Sequence, residues 1–200
     1  AKSDIPFGAR TPVSIVARNI LQYASNIEEA YEIAAGMETF VCETFLTGSD
    51  NDGYAAIIEK TPDTTVLYLS PSHYIIATNH LQHSAFANHK LNQENIENET
   101  SVYRFNRVKE LILNNQKFDY QNVASLLRDQ KGLENKNIGM GNEKAINQLI
   151  AHHSVIFKPD ERLMWVSTYP FQLGQYVCYD LRKIFGETES LDIKNEVIMD

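Results

Sequence analysis

The chain has 200 residues, 43% of them hydrophobic, which suffices for a buried core. Its formal net charge of −8, with no dense basic run, excludes a general nucleic-acid binder, which needs a basic face; the acidity reads as solubility. Two cysteines, Cys42 and Cys178, are too few for a disulfide framework, no CxxC pair points to zinc, and no apolar run nears the ~20 residues of a membrane span.

In chain order, Thr11-Pro12 predicts a helix start, a capping hydroxyl followed by proline at the first helical position. Val13, Val16, Ala17, Ile20, Leu21 and Ala24 follow at helical spacing. Ser25-Asn26-Ile27-Glu28 reads as a capping box for a second helix, with Ile27, Ala30, Tyr31 and Ala34 inward and Gly36 at its end. Residues 39–47 are rich in β-branched and aromatic side chains. A turn at 49–53 leads into a returning strand at 54–59, then a third strand at 65–69 and a fourth at 74–78. The Asp50-Asn51-Asp52-Gly53 stretch echoes part of a calcium loop, but strand-like flanks make it a hairpin turn.

Residues 81–99 read as one polar loop. A helix over 101–115 follows, with Val102, Phe105, Val108 and Ile112 inward. Asp119 caps another, with Tyr120, Val123, Leu126 and Leu127 inward. An Asn- and Gly-rich loop at 132–142 precedes three strands near 150–158, 162–168 and 174–180, the second holding the single tryptophan, Trp165. The acidic tail, about 186–200, reads as flexible. No βαβ alternation, internal repeat or dividing linker is visible. The expectation is one α+β domain with helical layers over antiparallel sheets.

Several side chains suggest chemistry. Asn79 closes the predicted apolar strand 74–78, where an amide N–H can stabilise an oxyanion or simply form a turn. Arg104 sits in the first turn of its helix, the unfavourable end for a cation, which asks for a partner: a substrate oxygen, a buried acceptor, or Glu99 or Asp119. His80, His83 and His89 share one loop and His152-His153 are adjacent, but none shows the helical spacing of a zinc site. Cys42 and Cys178 fall in apolar strands, whereas reactive thiols need an accessible electropositive setting. A Cys42–His thiol hydrolase stands as a weaker reading.

Two segments in order, Ala77-Thr78-Asn79-His80 and Ser101-Val102-Tyr103-Arg104-Phe105-Asn106-Arg107, resemble the isopenicillin-N acyltransferase-like (acyl-CoA:6-aminopenicillanic acid acyltransferase) family. These are cysteine N-terminal-nucleophile (Ntn) hydrolases of the choloylglycine hydrolase and penicillin V acylase superfamily. Gly53-Tyr54-Ala55-Ala56-Ile57-Ile58-Glu59-Lys60-Thr61-Pro62 is similar to the family's hairpin. His153-Ser154-Val155-Ile156-Phe157 with Leu163-Met164-Trp165-Val166-Ser167 is similar to its closing strand pair. The resemblance covers roughly residues 8–185.

The resemblance implies a four-layer αββα sandwich and no cofactor or metal. It implies Asn79 as the oxyanion-hole amide and Arg104 as the group orienting substrate and nucleophile, with Ser101 and His80 in support. The substrate would be a small-molecule amide, or an acyl thioester. The family's nucleophile is a cysteine exposed by self-cleavage, whose own amino group serves as base. This chain starts at Ala1, without a signal-peptide pattern, and offers no cysteine there. The expectation is therefore a C-terminal portion of a longer protein, inactive alone, whose partner is the missing N-terminal segment. Unpaired sheet edges would then favour self-association. The alternative is a non-catalytic domain of the same fold kept for binding or assembly. The compartment is not legible.

Overall fold

The computed structural model describes residues 9–115, 117–139, 141–151, 153–170, 173–186 and 194–198. The chain divides into two compact units, Ala1–Phe105 and Asn106–Asp200. Both mix helices with antiparallel sheet, so the chain is α+β.

The first unit opens with helices α1 (Val13–Tyr23) and α2 (Ile27–Gly36). Val16 and Ile20 of α1 are buried with Ala30 and Ala34 of α2 and Ile58 of the sheet, as their helical spacing predicts. Leu21 departs from that reading: it is 78% exposed. Thr11 does not cap α1. No side chain does, and Thr11 instead bridges Thr39, its N–H donating to the Glu38 carbonyl at 2.8 Å. The α2 cap is Asn26, whose Oδ1 accepts from the Glu29 N–H at 2.8 Å. The returning carboxylate is Glu29 on the Ser25 N–H at 2.7 Å, one residue beyond the predicted Glu28.

Strands β1 (Glu43–Ser49), β2 (Tyr54–Lys60) and β3 (Thr65–Tyr68) form a meander in that order. Cys42 lies just before β1 rather than in it. The β1–β2 turn uses Gly53 at φ +71°, and it also ties down α2. Asp52 Oδ2 accepts from the Ile27 N–H and Asn51 Nδ2 donates to the Ser25 carbonyl, at 2.7 and 2.8 Å. The acidic turn is thus engaged with a helix N-terminus. Residues Ala56 to Lys60 of β2 are buried without alternation, because both faces of the strand are covered. Ile58 faces the helices. On the opposite face, Glu59 meets Gln82 and His83, and Val66, its cross-strand partner, packs with Cys42, Leu81 and Phe86.

Two expectations fail here. Residues 74–78 form no strand: they have no ladder partner, with Ile76 buried and its neighbours partly covered. The Ile76 carbonyl is satisfied by the Gln82 side-chain amide at 2.7 Å, so a side chain replaces the sheet hydrogen bond. The stretch 81–99 is not one loop. It holds a 3₁₀ turn at Ser84–Phe86 and helix α3 (Lys90–Asn98). Two histidines of this stretch work as caps: His83 Nδ1 accepts from the Ala85 N–H, and His89 Nδ1 from the Asn92 N–H.

Helix α4 (Ser101–Asn114) begins in the first unit and ends in the second. Its fully buried side chains are Ser101 and Arg107, while Val102, Phe105, Val108 and Ile112 are only partly covered. Arg107 donates to both carboxylate oxygens of Asp129 at 2.9 and 3.0 Å and to Asn135 Oδ1 at 2.9 Å, which compensates its burial.

In the second unit, α5 (Tyr120–Leu127) is capped by Asp119 as predicted, Oδ1 accepting from the Asn122 N–H at 2.9 Å. The sheet runs β4 (Val155–Lys158), β5 (Leu163–Ser167), β6 (Tyr176–Asp180) and β7 (Lys194–Ile198), with α6 (Leu181–Phe185) after β6. Strand β7 falls within the stretch read as an acidic tail; residues 187–193 and 199–200 of that tail lie outside the described residues. Ile156, Trp165 and Cys178 align across three strands and form the core with Ala124 of α5. The Tyr120 ring stacks on Trp165 at 4.8 Å.

Gly174 stands where no side chain fits. A Cβ there would lie 2.0 Å from the Thr168 carbonyl oxygen. Gly174→Ala should therefore force the β5–β6 connection apart and cost about 3 kcal/mol, read as a lower urea midpoint. An unchanged midpoint would mean the connection relaxes freely.

Candidate active site

The site is built where the irregular segment 74–80 meets the first turn of α4. Ser101 and Arg104 are three residues apart, so their side chains project from one helix face. Ser101 reaches His80 and Arg104 reaches Asn79. The sequence pattern Ser-x-x-Arg is in this way the spacing needed to hold two consecutive residues of an irregular segment.

His80 is pinned by a triangle of polar atoms. Its Nδ1 lies 2.8 Å from Ser101 Oγ and 3.0 Å from Thr78 Oγ1, and the Ser101 hydroxyl donates to Thr78 Oγ1 at 3.1 Å. Ser101 is fully buried and His80 is 8% exposed. The imidazole and the Phe105 ring meet edge-on, with centroids 5.6 Å apart and planes at 65°. Burial pushes the His80 pKa below its ordinary value of 6.5, and the Arg104 charge acts the same way. The imidazole therefore stays neutral in the folded protein where an unfolded chain would take up a proton. The unfolded state binds more protons, so stability is full above pH 6.5 and falls as pH drops below it. The His80 contribution to the slope should approach at most about 1.4 kcal/mol per pH unit. Thermal melts between pH 7 and 5 should show this decline, reduced in His80→Asn. Parallel curves for the two proteins would contradict it.

Asn79 is exposed, and its side-chain orientation is chemically determined. Arg104 Nη2 donates to Asn79 Oδ1 at 2.7 Å. A guanidinium has only donors, so the amide atom facing it is the oxygen, and Nδ2 with its two hydrogens points elsewhere. That leaves an oriented N–H donor at the surface. Arg104 Nε also contacts Thr100 Oγ1 at 3.4 Å. Among the described residues no carboxylate pairs with Arg104. Its partner is Asn79 rather than Glu99 or Asp119, and among the described residues its positive charge has no carboxylate beside it.

Glu59, Asn92 and Asn95 carry no role in the sequence reading, yet they hold this segment. Glu59 is fully buried and accepts from the Gln82 and His83 N–H groups at 2.5 and 2.9 Å. Asn92 forms a two-way clamp on Leu81, accepting from its N–H at 2.8 Å and donating to its carbonyl at 3.0 Å. Asn95 Nδ2 donates to the Asn79 carbonyl. A visible signal existed: His89, Asn92 and Asn95 recur at intervals of three, the spacing of one helix face.

A cleft of about 460 Å³ in the first unit is lined by Tyr54, Leu69, Ser70, His73 and Tyr74 among others, with no carboxylate, lysine or arginine. Neither cysteine forms part of the site. Cys178 is fully buried in β6 and Cys42 is 5% exposed beside Leu81 and Phe86. Among the described residues no three His, Cys, Asp or Glu side chains converge to hold a metal, and no helix is long and apolar enough to cross a membrane.

Fold and site define an α+β protein that presents an amide donor held by a guanidinium. The family model described as acyl-coenzyme A:6-aminopenicillanic acid acyl-transferase matches residues 6–169, and the chain belongs to that family. No curated protein and no solved structure matches it. Membership points to an acyltransferase- or amidase-type function.

Proposed function

We propose that this chain supplies the oxyanion-binding and substrate-orienting part of a cysteine Ntn-type amidase or acyltransferase, within a four-layer αββα fold. The observation that carries the reading is the Arg104–Asn79 contact, which fixes Oδ1 and leaves Nδ2 free to donate. Attack of a thiolate on an amide or thioester carbonyl places negative charge on the carbonyl oxygen. An N–H donor set in advance at that position stabilises the charge without reorganising. The Arg104 guanidinium, which has no carboxylate partner among the described residues, adds a favourable field at the same place.

The attacking thiol is a cysteine outside these 200 residues, because Cys42 and Cys178 are both buried among apolar side chains. Acyl transfer then proceeds in two steps. The thiol forms a thioester with the acyl group and expels the amine or thiol leaving group. Water or an acceptor amine then takes the acyl group from the thioester. Self-processing and linear-amide substrates belong to the same proposal.

The test is labelling of the intact protein with a thiol-reactive substrate analogue, followed by peptide mapping. The expected result is one modified cysteine, distinct from Cys42 and Cys178, together with loss of turnover. An unlabelled protein without amidase or transferase activity would instead favour the alternative, an Ntn-like domain kept for binding or assembly. Burial of both thiols is the observation on that side.

A further inference from the structure

We propose that Asn95, on α3, is a positioning residue for Asn79. The inference rests on the reading of Asn79 as the oxyanion donor and extends it to helix α3.

The segment 76–83 has no sheet ladder, so its backbone has no strand neighbour to fix it. Side chains take that role one residue at a time. Glu59 holds the N–H groups of Gln82 and His83, and the Gln82 amide holds the Ile76 carbonyl. Asn92 holds both backbone groups of Leu81, and Ser101 with Thr78 holds the His80 ring. Asn79 is the single exposed member of 78–81, and it is held at two points. Arg104 fixes the side-chain oxygen, and Asn95 fixes the main-chain carbonyl.

Two points define an orientation where one does not. With Oδ1 alone held, the residue can swing about the guanidinium, and Nδ2 sweeps an arc. Anchoring the carbonyl fixes ψ of Asn79, hence the base from which its side chain departs. Asn95 is 4% exposed and its amide is directed at that carbonyl. A buried amide on a helix whose sequence is otherwise largely polar is costly unless hydrogen-bonded. Asn92, one turn earlier and 2% exposed, makes the same kind of contact two residues further along the segment. It provides an internal comparison, since it grips the same segment without touching Asn79.

The experiment compares Asn95→Ala and Asn92→Ala in the intact protein, alone and combined with Asn79→Ala. Turnover is measured on a panel of N-acyl p-nitroanilides, and stability by thermal melt. Asn92→Ala removes two hydrogen bonds and should lower Tm more. Asn95→Ala removes one, and should lower kcat about 10-fold with KM little changed, a loss that vanishes in the Asn79→Ala background. A loss that persists without the Asn79 amide, or that simply follows Tm across the two variants, overturns the proposal.

A second readout is independent of turnover. The Asn79 side-chain amide resonances are identified by their absence in Asn79→Ala. In Asn95→Ala they should shift or broaden, and in Asn92→Ala they should move less. Unchanged Asn79 resonances in Asn95→Ala overturn the proposal even if the protein turns over no substrate at all. Conversely, a wild-type level of turnover in Asn79→Ala removes the oxyanion reading while leaving the resonance test intact. Asn95→Ser, with a hydroxyl too short to reach the carbonyl, serves both arms where Asn95→Ala does not fold.

Discussion

In the intact protein, Asn79→Ala should lower kcat by roughly 10²–10³-fold, the cost of removing one oxyanion donor from a prearranged site. The substrate carbonyl is uncharged on binding, so the Asn79 amide gains its advantage as charge develops. Most of the loss should therefore fall on kcat rather than KM. Asn79→Asp separates this role from a structural one. A carboxylate in that position would gain an ion pair with Arg104, which already lies 2.7 Å from the side-chain oxygen. It would also replace the N–H donor by a second acceptor facing the developing oxyanion. Stability should hold or rise while turnover falls at least as far as in Asn79→Ala. Arg104→Lys should show an intermediate loss, because an ammonium keeps the charge but not the planar fork that orients the amide. Turnover of Asn79→Asp equal to wild type would show that no donor is needed there.

The features legible in the sequence are those with a local chemical cause. Asp119 announces α5, and the Ser25–Glu29 region announces α2, because caps depend on a few adjacent residues. The hairpin of β1 and β2 follows from its Asp-Asn-Asp-Gly turn, and the β4–β5–β6 strands from their apolar content. The pairing of Ser101 and Arg104 with residues 80 and 79 follows from helical spacing once the helix start is known. The failures share another cause. Apolar periodicity marks only surfaces buried through hydrocarbon. Helix α3 buries Asn92 and Asn95, so its inner face is blank to such a reading. Residues 74–78 carry strand-like side chains but join no ladder, and the Gln82 side chain instead satisfies the Ile76 carbonyl. In α4 the deepest residues are Ser101 and Arg107, whose polarity is compensated by partners far along the chain. Such partners lie beyond the reach of any local pattern.

Glu59 is the extreme case of the same blindness, and its removal should cost the most stability. It occupies a central strand and is fully buried, yet the sequence shows only a charged residue at the end of an apolar run. Each carboxylate oxygen accepts one backbone N–H, from Gln82 and from His83. Glu59→Ala leaves both donors without a partner in a part-buried setting. At roughly 1–3 kcal/mol per stranded group, the expected loss is about 4 kcal/mol. That is a large share of the ~5–15 kcal/mol typical of a domain. Glu59→Gln keeps the shape and one acceptor oxygen but turns an –NH₂ toward the other N–H, donor against donor. Its cost should be about half as large. Urea unfolding gives both values. Because Gln82 also holds the Ile76 carbonyl, the loss should reach the site: the segment from 76 to 83 loses its anchor on the sheet and Asn79 loses its fixed approach. Glu59→Gln, if folded at the assay temperature, should thus lose turnover beyond any unfolded fraction. A urea midpoint for Glu59→Ala equal to that of wild type would show that the two N–H groups find other acceptors and that the carboxylate does not hold the segment.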